Sequence, residues 1–556
     1  MKSTRYCVFI IALVAVLHLW PRYAFSQAEH VEIIHPVYEF LNRMHVRGAV
    51  TGYSRSSLPL ERKQITRFLR DLQSTTLPLS STERGILARY VEEFVDEADG
   101  NQRTVSIFGT AMKDIPKTVF SDNITHLYRW RSEDGESTMY MDFLASLEYR
   151  ALLTDEGNTN LSLGQIGGRF RGTLSGLLGY SLRATNGTAQ GNRSLAMKDQ
   201  QLRRNFTYGT LDKDFFDLAE AAVSISWDWG SASLGKEKRL WGTGRSNLAL
   251  ISTNAEPFDA LQLHARFGAV RFSFLHGSVL SEMELLEGFR PYYDAKYVAM
   301  HRAEVDLFNT VRFGVFEAVV YSSREIDASY LNPINFYKSA EHAGGDRDNP
   351  MLGFELSSLG IPDLELYGTW LIDDVDFARL GDAWWGNKFL WQAGAITTLI
   401  ANTELILEYS RIDPYVYSHR LRGNQYTHDG ASLGFELAPN SDELYIGASH
   451  WLTPTLMLGL HGHFRRHGQN EMDSEGNILV NHGGDIYESL DYERDSEIAP
   501  FLAGVRDDST MLSFTLRYEL GRNIFLHGKY WYRTRSSDAE TNPGKHYLSL
   551  LLDIQL

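Results

Sequence analysis

The chain has 556 residues and a formal net charge of −16, from 54 Lys+Arg against 70 Asp+Glu. That balance argues against nucleic acid as a partner, and the absence of any run of about 18 apolar residues after the first 26 excludes a helical membrane protein. The single cysteine, Cys7, lies so early that the rest of the chain has no disulfide and no cysteine-ligated metal.

The first residues read as an export signal. Lys2 and Arg5 precede an apolar stretch over 8–19, and Ala24-Phe25-Ser26 forms a small-x-small cleavage site before Gln27. The domains expected after this 1–26 signal are a helical bundle over 27–100, a linker or irregular strand region over 101–137, and a β-barrel over 138–556. In the bundle, Val37, Phe40, Leu41 and Met44 share one helical face, as do Ile65, Phe68, Leu69 and Leu72, and Leu87, Tyr90, Val91 and Phe94. Gly48 can stop the first helix, Pro59 stands near the start of the second, and Ser80-x-x-Glu83 is a capping box for the third. The stripes can pack on each other, or the bundle can cap the periplasmic mouth of the barrel.

From Thr138 the period changes to two. Met139, Met141, Phe143, Ala145, Leu147 and Tyr149 alternate with Tyr140, Asp142, Ser146, Glu148 and Arg150, over a length suited to crossing a bilayer as a tilted strand. Ala221, Val223, Ile225, Trp227 and Trp229 show the same outward face against Glu220, Ser224, Ser226 and Asp228. Spanning strands are predicted near 138–152, 161–172, 175–186, 217–230, 231–240, 259–267, 270–279, 297–309, 311–322, 350–358, 363–373, 388–399, 403–412, 442–451, 455–466, 509–520, 523–534 and 546–556, eighteen in all. The 28 Tyr, 29 Phe and 11 Trp suit aromatic girdles, and the mean hydropathy of −0.27 stays low because only alternate residues face lipid. Tight turns such as Thr453-Pro454 alternate with long links such as 413–441 and 467–508, the pattern of an outer-membrane barrel. An even strand count requires 431–437 to be loop, although Leu433, Phe435 and Leu437 alternate.

Four stretches carry a family likeness: His35 to Leu41; Leu240-Trp241-Gly242-Thr243-Gly244-Arg245 with Asn254 to Phe258; Leu331-Asn332-Pro333-Ile334-Asn335-Phe336-Tyr337; and Leu433 through Asp442. In these the chain resembles the Wzi family of capsule-assembly outer-membrane proteins. The resemblance implies an eighteen-stranded barrel with a periplasmic helical bundle that binds surface polysaccharide and helps attach or assemble capsule or exopolysaccharide. It places the chain in the cell outer membrane, with polysaccharide and outer-membrane lipid as partners, as a monomer. A channel, whether porin or exporter, is the alternative.

Candidate carbohydrate-binding residues are aromatic rings for sugar faces and cations for uronic carboxylates: Trp241, Arg245, Trp384, Trp385, Tyr292, Tyr293 and Tyr337. Trp241 and Arg245 read equally as a belt tryptophan and a lumen strut. The acidic 467–508 loop reads as a solvated face, and Asp473-Ser-Glu475-Gly-Asn477 lacks full calcium-loop spacing. No nucleophile elbow, zinc helix or phosphate loop is present, and His461 and His463 share a strand face without a partner fixed by sequence. Neither catalysis nor a cofactor nor a metal is expected.

Overall fold

The computed structural model describes residues 27–199, 202, 215–281, 294–308, 310–538 and 541–556. The expected signal, with Cys7, lies outside them. The polar/apolar alternation from Thr138 becomes eighteen antiparallel strands. The first six are β1 (Thr138–Thr154), β2 (Gly157–Leu174), β3 (Leu178–Gly191), β4 (Phe215–Trp227), β5 (Gly230–Glu237) and β6 (Phe258–Phe267). Next come β7 (Val270–Leu280), β8 (Ala295–Leu307), β9 (Val311–Ser322), β10 (Asn349–Ile361), β11 (Leu364–Asp374) and β12 (Lys388–Thr397). The last six are β13 (Thr403–Ile412), β14 (Ser441–Thr453), β15 (Leu456–Gln469), β16 (Val505–Gly521), β17 (Ile524–Ser537) and β18 (Thr541–Gln555). Each pairs with its neighbour in sequence, and β18 pairs with β1 to close the barrel. Closure leaves no sheet edge, as a bilayer requires.

Outward positions are apolar and exposed, for example Leu147, Ile166, Val223, Leu234, Leu407 and Leu550, while Asp142, Gln262, Glu304 and Glu408 point inward and are buried. Residues 101–137 are ordered structure rather than a bare linker. Thr104–Ser106 pairs in parallel with Ile124–His126, and Tyr128–Arg131 pairs with Thr138–Met141 of β1, below the span of β1 that β18 occupies. Several predicted strands were too short or shifted: β2 and β3 run to Leu174 and Gly191, and the β4/β5 turn falls before Gly230.

Three helices cover the short-turn end: α1 (Val37–Val46), α2 (Arg62–Gln73) and α3 (Ser81–Tyr90), the last continuing through a π turn to Asp99. Ser80 and Glu83 cap α3 reciprocally, at 3.0 and 2.8 Å. Gly48, at φ +73°, follows α1 where a side chain would be strained. The apolar stripes form one cluster that includes Trp451 of β14. Polar contacts bind the helices to the barrel. The Thr173 hydroxyl accepts from the Gln27 and Ala28 amides, Arg43 donates to the Thr403 carbonyl, and Ser80 donates to Asn402.

At the centre of this seam, Glu97 of the third helix receives Arg62 at 2.8 Å and Arg171 of β2 at 2.9 Å. Burial alone would raise the Glu97 carboxyl, but the Arg171 and Arg62 guanidiniums outweigh it and hold it at about 2. A carboxylate held below its ordinary 4.5 contributes stability that is complete above 4.5 and lost as pH falls toward 2. Protease protection of 27–100 is therefore expected to fall as pH drops through that window.

Candidate functional site

The lumen is filled from the long-loop end by two connections that fold inward. In the first, residues 240–251, the Trp241 and Ile251 backbones bond to each other, and Ser57–Leu58 pairs with Leu240–Trp241. The tip crosses to the far wall, where Glu408 of β13 accepts the Arg245, Ser246 and Asn247 amides. Gly244 is required here, because a Cβ would stand 1.8 Å from the Asn247 carbonyl oxygen. In the second, residues 413–440, Tyr417 and Tyr426 stack at 5.0 Å and donate to the Ala249 and Leu250 carbonyls. Leu433, Phe435 and Leu437 join the same apolar core, so their strand-like alternation reflects plug packing.

Two sequence readings are corrected by this packing. Trp241 is wholly buried in that core and offers no ring face to a sugar. Arg245 lies beside Glu365 at 3.5 Å inside the lumen, a strut rather than a surface cation. Tyr337 is also fully buried, packed on His301 at 4.5 Å against the outer barrel wall, so it is corrected as well. Tyr292 and Tyr293 lie outside the described residues. Asp473 spends its carboxylate on the Glu475 and Asn477 amides, an Asx turn that explains the calcium-like spacing.

Trp384 and Trp385 do stand at the long-loop end, half-buried where 375–387 meets 470–504 through the Trp384–Ile498 bridge. Arg379 covers Trp384 at 4.7 Å and pairs with Glu497, while Trp385 meets Tyr415 and the exposed Tyr492 edge-on at 5.8 and 5.9 Å. Both indole N–H groups are buried and have no hydrogen-bond partner among the described residues.

A further concavity was not foreseen. A cavity of about 430 Å³ opens on the inner side of the wall where β1, β17 and β18 approach the long-loop end, beside the helical turn Arg193–Met197. Trp531 of β17 and Tyr547 of β18, paired across the ladder, stack in its wall at 5.2 Å, 10° from parallel. Around them stand Arg150, Lys198, Arg533, Arg535 and Lys545, with Asp199 the one acidic lining residue. Arg150 pairs with Glu148 and Asp199, and Arg535 with Asp507. Among the described residues, Lys198, Arg533 and Lys545 have no carboxylate within ion-pair distance. In a chain of net charge −16, this is a local cationic, aromatic-floored pocket suited to a carboxylated sugar.

The family model for the capsule assembly protein Wzi matches residues 151–545. The chain belongs to the Wzi family.

Among solved structures it is similar to Wzi of Escherichia coli, described there as an outer membrane protein involved in group 1 capsule assembly and a carbohydrate binding β-barrel. The two are 13% identical with a TM-score of 0.54, over 94% of this chain and 99% of that one, which shows a shared fold. OccAB2 of Acinetobacter baumannii (10% identical, TM-score 0.45, 75% of this chain and 98% of that) and OpdK of Pseudomonas aeruginosa (10%, 0.42, 75% and 99%) are more distant and carry no argument. A comparison with curated sequences gives no match. This Wzi-family chain is thus an outer-membrane β-barrel, and the stretches that carry its family likeness lie in its helical bundle, plug and outer wall rather than at the cationic cavity. The signal that could have found the cavity is the same-face run Trp531, Arg533 and Arg535, followed across the next turn by Lys545 and Tyr547.

Proposed function

We propose that this Wzi-family barrel binds acidic surface polysaccharide at its long-loop end, outside the cell, and so aids attachment or assembly of a capsule or exopolysaccharide. The observation that carries this reading is the pairing in one cavity of the Trp531–Tyr547 stack with Arg533, Lys545 and Lys198, which have no carboxylate within ion-pair distance among the described residues. Trp384, Trp385 and Tyr492 form a second aromatic ledge at the same end. In this reading residues 27–100 form the periplasmic bundle, 101–137 the seam beside it and 138–556 the membrane barrel, acting as a monomer. The filled lumen supports binding over the channel alternative.

A catalytic role is not part of the proposal. Ser246 and His463 both reach Glu443, but the carboxylate sits between them, so no imidazole is placed to take the serine proton. Glu443 instead receives Arg465 and Asn247, and serves as a strut under the plug.

The test is binding of the host's purified polysaccharide to detergent-folded full-length protein, beside the double variant Arg533→Gln/Lys545→Gln. Charge-assisted hydrogen bonds are worth about 1.5–3 kcal/mol each, so the variant should bind at least about tenfold more weakly. Equal affinity of variant and parent would remove the cavity from the site.

A further inference from the structure

The connection 323–348 does not fold over the barrel mouth. It descends along the outer wall. On β8 and β9 the inward residues Val298, Met300, Phe316, Ala318 and Val320 belong to the lumen core, so Ala299, His301, Glu317, Val319 and Tyr321 face outward. These outward residues are nevertheless buried or nearly so, because the helices α4 (Ala328–Leu331) and α5 (Tyr337–Ala343) lie on them. Tyr330 meets Tyr321 at 5.1 Å, and Tyr337 reaches His301, halfway down the strand.

The lipid-facing pattern explains why a cover is needed there. On β11 the outward row Leu364, Leu366, Gly368, Trp370 and Ile372 is apolar throughout. On the covered strands the row stops after three positions: Val270, Phe272 and Phe274 end at His276; Leu307, Val305 and Ala303 end at His301; Val311, Phe313 and Val315 end at Glu317. Six residues of a tilted strand climb only about 15 Å, against a belt of about 25 Å. Bare His301 and Glu317 would then face hydrocarbon.

The connection removes that exposure. His301 pairs with Glu317 at 3.1 Å, the Tyr337 amide donates to Glu317, and His276 bonds to the Tyr321 hydroxyl. Several of its own polar groups are satisfied within it: Arg324 and Tyr330 both bind Asp348, Asn335 donates to the Ser329 carbonyl, and Asn332 accepts from the Ile334 amide. The 331–336 turn shows apolar side chains to the outside, with Ile334 82% and Phe336 54% exposed and Leu331 also open, while Glu325, His342, Asp346 and Arg347 are exposed elsewhere in the connection.

We propose that the 331–336 turn of this connection is seated in the outer leaflet, with Leu331, Ile334 and Phe336 against lipid acyl chains, completing the apolar belt over β7–β9. The occupant is acyl chain because the exposed rim continues the lipid-facing rows beneath it, and a patch of this kind in water would be unprotected.

The test uses the cysteine-free mature chain. Ile334→Cys and Phe336→Cys are spin-labelled in nanodiscs, beside Leu356→Cys on the belt and Leu479→Cys in the 470–504 loop. Relaxation by oxygen with loss of relaxation by a water-soluble nickel chelate, as at 356, is expected at 334 and 336. Nickel relaxation equal to that at 479 would overturn the proposal. The unmodified protein gives an independent reading in nanodiscs holding lipid with a photoreactive acyl chain. Cross-links are expected within 331–336, and cross-links confined to the barrel strands would overturn it.

Discussion

Glu97→Ala is expected to release the helical bundle from the barrel at a cost of about 3–5 kcal/mol, the usual penalty for breaking a buried ion pair from one side. Glu97 is 2% exposed and holds two guanidiniums, Arg62 from α2 and Arg171 from β2. Its removal leaves Arg62 buried with the Glu93 carbonyl, the Glu93 carboxylate at 3.8 Å and the Phe94 ring, while Arg171 keeps Glu29. The barrel's own hydrogen-bond ladders are untouched, so the loss should register as protease cleavage within 27–100 and a lower urea midpoint for that region. The neighbouring Asp99→Ala is the control. Its pair with Arg70 is about half exposed on both sides, and such pairs are worth at most about 1 kcal/mol. Equal effects of the two substitutions would show that the seam is held by apolar packing alone.

Trp241→Ala carries the second large effect. The indole is fully buried in the core formed by Leu250, Ile251 and Leu433 of the plug with Phe258 of β6, and truncating a buried tryptophan costs about 3–5 kcal/mol through lost transfer energy and the cavity left behind. Stability of the plug should drop, read as faster hydrogen exchange at 413–440, while polysaccharide affinity of the folded variant stays that of the parent. A selective loss of affinity with exchange unchanged would return Trp241 to the binding surface and contradict its burial.

The barrel was legible because period-2 alternation is a local signal: each strand from Thr138 onward shows its two faces to the reader without knowledge of its neighbours. The α1 to α3 stripes are local in the same way, with Ser80 and Glu83 marking where α3 begins. Inward-folding connections break that logic. Leu433, Phe435 and Leu437 alternate as a strand would, and only the even-strand requirement kept them in a loop; nothing local says that they enter the lumen. Trp241 and Tyr337 misled for a related reason, since an aromatic beside Gly or Asn looks exposed until the wall that buries it is known.

The cavity was invisible for a topological reason. Arg150 stands near the start of the barrel and Lys545 near its end, and they meet only because β18 closes on β1. Trp531, Arg533 and Arg535 on one strand face, taken alone, read as ordinary lumen residues. Closure converts them into one cationic pocket around the Trp531–Tyr547 stack.

The most direct measurement is equilibrium binding of the host polysaccharide to the full-length protein before and after chemical reduction of the glycan's uronic carboxyls to alcohols. Saturable binding of the native glycan that weakens with salt and collapses on carboxyl reduction is the predicted result, since the cavity's cations would have lost the glycan's counter-charge. Equal binding of native and reduced glycan, or no binding of either by well-folded protein, would contradict it.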